Sequence, residues 1–167
     1  MGKTEENLRE AFAGESQANR KYTAFAKKAE EEGYSNVARL FRAAAASETH
    51  HALKHLSVLG GVKSTVENLK AAVEGETFEN SEMYPKFIAT AEEEGNTPAK
   101  ISFFAANEAE EVHAELYKEA IKAVERGSDI EANDYFVCQV CGYTVEGEAP
   151  DICPVCNSPK EKFESID

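Results

Sequence analysis

The sequence has no tryptophan, only two methionines and five prolines, and no cysteine before residue 138. No apolar run approaches the roughly 20 residues that a bilayer span needs. The opening MGKTEENLRE is polar, without the apolar stretch of a secretory signal, and Glu6 stands where an N-myristoylation motif needs serine or threonine. Positive charge is scarce as well, with 18 Lys and Arg against 31 Asp and Glu, a net charge of −13 and a pI near 4.8. A chain with so little basic surface cannot neutralise many phosphates, so neither nucleic acid nor an anionic membrane is an expected partner. The expected location is the cytoplasm.

What cysteine there is lies within 19 residues, as Cys138-x-x-Cys141 and Cys153-x-x-Cys156. Four thiols at this spacing, in a reducing compartment, present a tetrahedral set of sulfurs to a metal. The surrounding tail, residues 134–167, is too short to hold itself by an apolar core, because domains below roughly 40 residues usually need metal, disulfides or a partner. A polar stretch, GSDIEAN, separates it from an Ala-, Glu- and Lys-rich region. The expected domains are therefore 1–130 and 134–167.

The first of these contains a repeat. Ala29-Glu-Glu-Glu-Gly33 recurs 62 positions later as Ala91-Glu-Glu-Glu-Gly95, and the same offset relates Tyr22 to Tyr84, Phe25 to Phe87, Phe41 to Phe103, Glu48 to Glu110 and His51 to His113. Each half reads as a helical hairpin. Glycine closes the first helix, and Ser35 or Thr97-Pro98 opens the second. Four helices are predicted, at about 4–32, 35–59, 65–94 and 97–126. Gly14-Glu15 and Gly75-Glu76 are only 61 apart, so the third helix has one extra residue between Glu76 and Tyr84. One residue inserted into a helix is absorbed as a π-bulge.

Three- and four-residue spacing sends Glu48, His51, Glu110 and His113 into the core with Val37, Leu40, Phe41, Phe103 and Tyr117. Glu15, Glu76 and Glu79 join them from the other two helices, whereas His50 is rotated off the seam and His55 lies a turn beyond the cluster. Burying even one ionised carboxylate costs on the order of several kcal/mol, and neighbouring like charges add repulsion. With no Lys or Arg on these stripes near the acids, metal cations are the economical compensation, and two imidazoles suit iron, zinc or manganese. One Glu from each of two helices and Glu-x-x-His from each of the others is the ligand pattern of ferritin-like di-iron and di-manganese bundles. The unpaired Glu79 is expected to be an additional ligand that makes the two metal positions unequal.

Phe12-Ala-Gly-Glu15-Ser16, Glu48-x-x-His51, Glu76-x-x-Glu79 ahead of Glu82-Met-Tyr84-Pro85, Glu110-Glu-x-His113, Cys138-x-x-Cys141-Gly-Tyr143 and Cys153-Pro-x-Cys156 together resemble the rubrerythrins over essentially the whole chain. The resemblance implies a mainly α, ferritin-like four-helix bundle followed by a rubredoxin-like metal knuckle. It implies two irons, with Glu48 and Glu110 bridging, Glu15 and Glu76 terminal, His113 on the Glu76 side, and Glu79 and His51 competing for the other iron. Tyr22 and Tyr84 would donate to the glutamates, and a third iron would sit at the cysteines. The implied activity is peroxidase: hydrogen peroxide goes to water with electrons from an NAD(P)H-dependent reductase or a rubredoxin. Asn157 replaces the usual glycine after the last cysteine; asparagine tolerates the left-handed conformation. Zinc would fit the same four cysteines. A ferroxidase or oxidase, or a metal-binding protein with a structural zinc tail, would use the same ligands.

Leu59-Gly-Gly-Val-Lys63 leads directly into the capping-box pattern Ser64-x-x-Glu67. Five extended residues reach at most about 17 Å. A ferritin-like crossover must run back along roughly 37 Å of helix. The chain must therefore be an up-down-up-down bundle or exchange helix pairs in a homodimer, and the family fold favours the exchange. The 14 residues from His113 to Gly127 span roughly 21 Å of helix. Either the linker then folds back, or the tail serves a partner's bundle.

Overall fold

The computed structural model describes residues 2–166. Its first compact unit, ending at Lys63, is the hairpin of α1 (Lys3–Glu31) and α2 (Ser35–Val58). The second unit begins at Ser64 and contains α3 (Thr65–Phe78), a π-helical segment (Glu79–Met83), α4 (Tyr84–Glu93), α5 (Thr97–Glu125) and the tail. The helix expected over 65–94 is thus one helical run with a π segment at the extra residue, and α3 and α4 both pack on α5.

The hairpin turns follow from the repeat. At the end of α1, Gly33 adopts φ 83°, Tyr34 N–H donates to Ala29 O and Gly33 N–H to Glu30 O, which is a Schellman closure. Gly95, Asn96, Ala91 and Glu92 repeat it at the end of α4. The helix starts differ from expectation. Ser35 is the first residue inside α2 and its hydroxyl donates to Glu30, while Asn96 caps α5 by accepting from Ala99 N–H in place of Thr97. The tight closure places each cap residue one position earlier than the serine and threonine suggest. Ser64 and Glu67 form the expected capping box on α3.

Small residues set the packing within each hairpin. The buried apolar residues are Ala26, Ala29, Ala38, Ala45 and Ala52 in the first, and Ala91, Ala109, Ala114 and Ala123 in the second. Alanine lets helix backbones approach closely at no side-chain entropy cost. Large apolar side chains stay accessible, among them Leu40, Phe25, Phe87 and Ile101.

In the tail, β1 (Tyr135–Cys138) is the central strand of an antiparallel sheet, flanked by β2 (Thr144–Glu146) and β3 (Phe163–Ile166). The linker folds back, so that β2 lies against α5 of the same unit.

Candidate metal centres

Each helical hairpin builds one cluster of two carboxylates and an imidazole. In the first, His51 Nδ1 lies 2.9 Å from Glu48 Oε2 and 3.8 Å from Glu15 Oε1. In the second, His113 Nδ1 lies 2.8 Å from Glu110 Oε2 and 3.8 Å from Glu76 Oε1. The sequence repeat thus reappears as the same geometry, with three ligand atoms within 4.8 Å of one another in both clusters. Two ligands about 2.1 Å from one ion at a right angle are about 3.0 Å apart, so the Nδ1 to Oε2 separations suit a shared metal. An imidazole lone pair and a carboxylate at that range require a cation or a proton between them.

The electrostatics of the second cluster point the same way. Burial first, then the adjacent Glu110 carboxylate, push Glu76 up to about 7, with His113 acting in the opposite direction. Burial and Glu110 also raise Glu79, and burial followed by Glu79, Glu110 and Glu76 raises the Tyr84 phenol. Glu79 therefore shares the field of this cluster, but its carboxylate stands outside the three-atom group. Among the described residues, neither Tyr22 nor Tyr84 hydrogen-bonds a glutamate through its hydroxyl. Tyr22 packs on Phe25 and Phe41, and Tyr84 on Phe87 and Phe103, again at equivalent places in the repeat. His50 and His55 belong to neither cluster.

A metal entering the second cluster must displace the proton that Glu76 holds below about pH 7. Apparent cobalt(II) affinity of the metal-free bundle is therefore expected to rise about tenfold per pH unit up to that point and level off above it. Titrations between pH 5 and 8 check this; a flat profile contradicts it. Because the folded pKa is raised from 4.5, Glu76's contribution to stability of the metal-free protein is complete below 4.5 and lost as pH rises through about 7.

Two asparagines, which the ligand pattern alone does not pick out, tie the helices together beside these clusters. Asn19, 8% exposed, donates from Nδ2 to Ala45 O at 2.7 Å and lies 2.8 Å from Thr49 Oγ1. Asn80, inside the π segment, donates to Asn107 O at 3.0 Å. Asn19 and Asn80 are 61 apart, like Glu15 and Glu76, and each follows its glutamate by four residues. That shared offset could have marked the asparagines and narrowed the inserted residue to 81–83. Asn19→Ala is expected to cost about 1–2 kcal/mol, the scale of losing buried hydrogen bonds. Urea unfolding measures it, and Asn80→Ala, which removes a single such bond, loses less.

The four cysteines converge in the tail. Cys138 and Cys153 are fully buried, and the Cys138–Cys156 and Cys141–Cys153 sulfurs are 3.7 and 3.6 Å apart. A tetrahedron with metal–sulfur bonds near 2.3 Å has edges of about 3.8 Å, so the sulfurs already stand at metal-binding separation. The two knuckles share one backbone design. Gly142 and Asn157, with φ of 83° and 60°, donate to Cys138 O and Cys153 O, and the N–H groups of Cys138 and Cys153 donate to Tyr143 O and Ser158 O. Asparagine thus takes the left-handed position as expected. Burial pushes the Cys141 and Cys153 thiols up. At Cys156 burial acts upward too, but hydrogen bonding to Ser158, Cys141 and Cys153 together outweighs it and brings the thiol down to about 6. Ser158 Oγ is 3.2 Å from that sulfur.

Two carboxylate–imidazole clusters on paired helices, followed by a tetrathiolate knuckle, define a ferritin-like di-iron class of protein with an appended rubredoxin-like domain. The sequence matches the rubrerythrin family model over residues 6–121 and that of the rubrerythrin rubredoxin-like domain over 136–164. Nigerythrin from Nitratidesulfovibrio vulgaris is 43% identical over 177 residues, covering 98% of this chain and 86% of the relative. Rubrerythrin from Porphyromonas gingivalis is 39% identical, covering 98% and 90%. The solved structure of fully reduced, all-ferrous nigerythrin is similar with a TM-score of 0.58 and 39% identity, over 99% of this chain and 88% of that one. The chain belongs to the rubrerythrin family, whose members are generally di-iron oxidoreductases of oxidative-stress defence. Among the described residues no helix is long and apolar enough to cross a membrane.

Proposed function

We propose that this chain is a cytoplasmic peroxidase that reduces hydrogen peroxide to water, taking electrons from an NAD(P)H-dependent reductase or a rubredoxin. Residues 1–130 form the peroxide-reducing domain and 134–167 the electron relay. Glu15, Glu48, His51, Glu76, Glu79, Glu110 and His113 hold two irons, and Cys138, Cys141, Cys153 and Cys156 hold one. The observation that carries this reading is that the thiolate knuckle lies beside a ligand of the bundle: Thr144, in the strand paired with β1, is 2.8 Å from His113 Nε2. Storage or sequestration needs no such adjacency.

Cleaving the O–O bond of one peroxide takes two electrons and two protons and releases two waters; two irons held by these residues would supply the electrons. The chain's own residues hold charge and protons. Glu48 on α2 and Glu110 on α5 would neutralise the charge of bound metal. Before metal binds, burial and Glu110 let Glu76 keep a proton that an exposed carboxylate would lose. Glu79 brings a further charge to the same side, while the first cluster offers only His51 with its two glutamates. Tyr84 stays a neutral phenol facing the acids and is a proton donor to whatever oxygen departs.

The chain works as a homodimer in which helix pairs are exchanged. Two observations support this: the 59–64 connection is short, and the hairpins keep large apolar side chains such as Leu40 (68% exposed) and Ile101 (63%) accessible after packing through alanine. Sedimentation of iron-loaded protein is expected to give a dimer; a monomer holding both irons contradicts the exchange. The peroxidase itself is tested by turnover with a reductase-coupled donor, comparing kcat/KM for peroxide and for oxygen. Preference for peroxide supports it. Preference for oxygen replaces it with an oxidase or ferroxidase.

A further inference from the structure

We infer that Thr144, carried by the rubredoxin-like tail, is a positioning residue for His113, so that the tail folded on its own metal completes one of the two bundle clusters. The inference rests on the di-iron reading above. His113 Nε2 and Thr144 Oγ1 are 2.8 Å apart, and Gly142 O, 3.5 Å from Thr144 Oγ1, is an acceptor within reach of the hydroxyl. When a metal occupies Nδ1, Nε2 carries the ring's N–H and donates to Thr144 Oγ1, whose own hydrogen has Gly142 O as an acceptor. A neutral imidazole has one N–H, so this bond leaves Nδ1 as a lone pair. Nδ1 is the atom that faces Glu110 and Glu76. The hydrogen bond therefore selects both the tautomer and the ring orientation that a metal requires.

The two clusters differ here although the repeat makes them alike elsewhere. Among the described residues the Nε2 of His51 has no hydrogen-bond partner, and His51 is 55% exposed against 28% for His113. Nothing in the first hairpin plays the part of the tail. Thr144 is also tied to the knuckle, because it pairs with Val137, the residue before Cys138, and sits three positions after Cys141. A tail of this size depends on its metal for folding. Occupancy of the cysteines is therefore linked to metal affinity at His113, and by linkage the effect is reciprocal.

The test uses the full chain with zinc at the cysteines, and with the bundle filled with zinc for spectroscopy and free of metal at the start of titrations. With zinc in the bundle, the Nε2–H proton of His113 is expected to exchange slowly with solvent in the wild type and rapidly in Thr144→Val, while that of His51 is unchanged. In anaerobic cobalt(II) titrations, Thr144→Val weakens one of the two bundle ions about 10–100-fold, the range for losing a group that orients a metal ligand. Thr144→Ser, which keeps the hydroxyl, restores wild-type binding. Full zinc retention shows that the tail of each variant is folded. Unchanged exchange of that proton together with unchanged cobalt affinity in Thr144→Val overturns the role of Thr144. A wild-type bundle that binds no cobalt instead removes the di-iron reading, and this inference with it.

Discussion

Cys153→Ser is expected to abolish steady-state peroxide reduction by an external donor, while the chemically reduced, iron-loaded bundle still consumes one peroxide per pair of irons. Cys153 is fully buried, and its sulfur is 3.6 Å from that of Cys141. Serine at this place removes one of four thiolates. The tail has few other means of holding itself: its sheet has strands of four, three and four residues, and Cys138, Ala149 and Cys153 are its buried apolar residues. Structural metal in such small modules contributes on the order of 10–16 kcal/mol, far more than so small a core. Losing it unfolds the tail and interrupts the route to the bundle. Iron is supplied in excess in this experiment, because the variant also loses the hydrogen bond from His113 to Thr144. Unimpaired turnover with the external donor would show that electrons reach the bundle without the tail.

Glu110→Ala is expected to fail in the single-turnover assay as well. Glu110 is the nearer of the two carboxylates to His113 Nδ1, at 2.8 Å, and its charge raises Glu76, Glu79 and Tyr84. Groups that only orient a ligand cost about 10–100-fold when removed, so losing a direct ligand should weaken metal binding by about a hundredfold or more. Removing that charge also lowers Glu76 toward the ordinary carboxylate range, which can be followed in the metal-free protein. The expected outcome is a folded helical protein with a filled tail and about one iron in the bundle. Two retained irons with unchanged peroxide consumption would remove Glu110 from the site.

The sequence made the helices, the repeat and the two clusters legible because each depends on local spacing. Glu48 and His51, or Glu110 and His113, are one helical turn apart, and that alone aims both at one place. The extra residue before Tyr84 was readable for the same reason, since an offset that changes from 61 to 62 within a helix has to be taken up there, and the π segment Glu79–Met83 does so. Caps were less legible. Ser35 and Thr97 have the right chemistry, but the Schellman closures after Gly33 and Gly95 move the cap to Tyr34 and Asn96. Thr144 was not legible at all. Its bond to His113 joins residues 31 apart through a linker that folds back, and no periodicity spans that turn.

The central claim is that peroxide oxidises the bundle and the bundle draws electrons from the tail. The most direct test mixes fully reduced, iron-loaded protein with peroxide anaerobically in a stopped-flow instrument and follows the thiolate–iron absorption of the tail. Rapid reappearance of that band, in proportion to peroxide added, is the predicted result. A protein with zinc at its cysteines and no such band, or a tail that stays reduced while peroxide is consumed, would contradict the account.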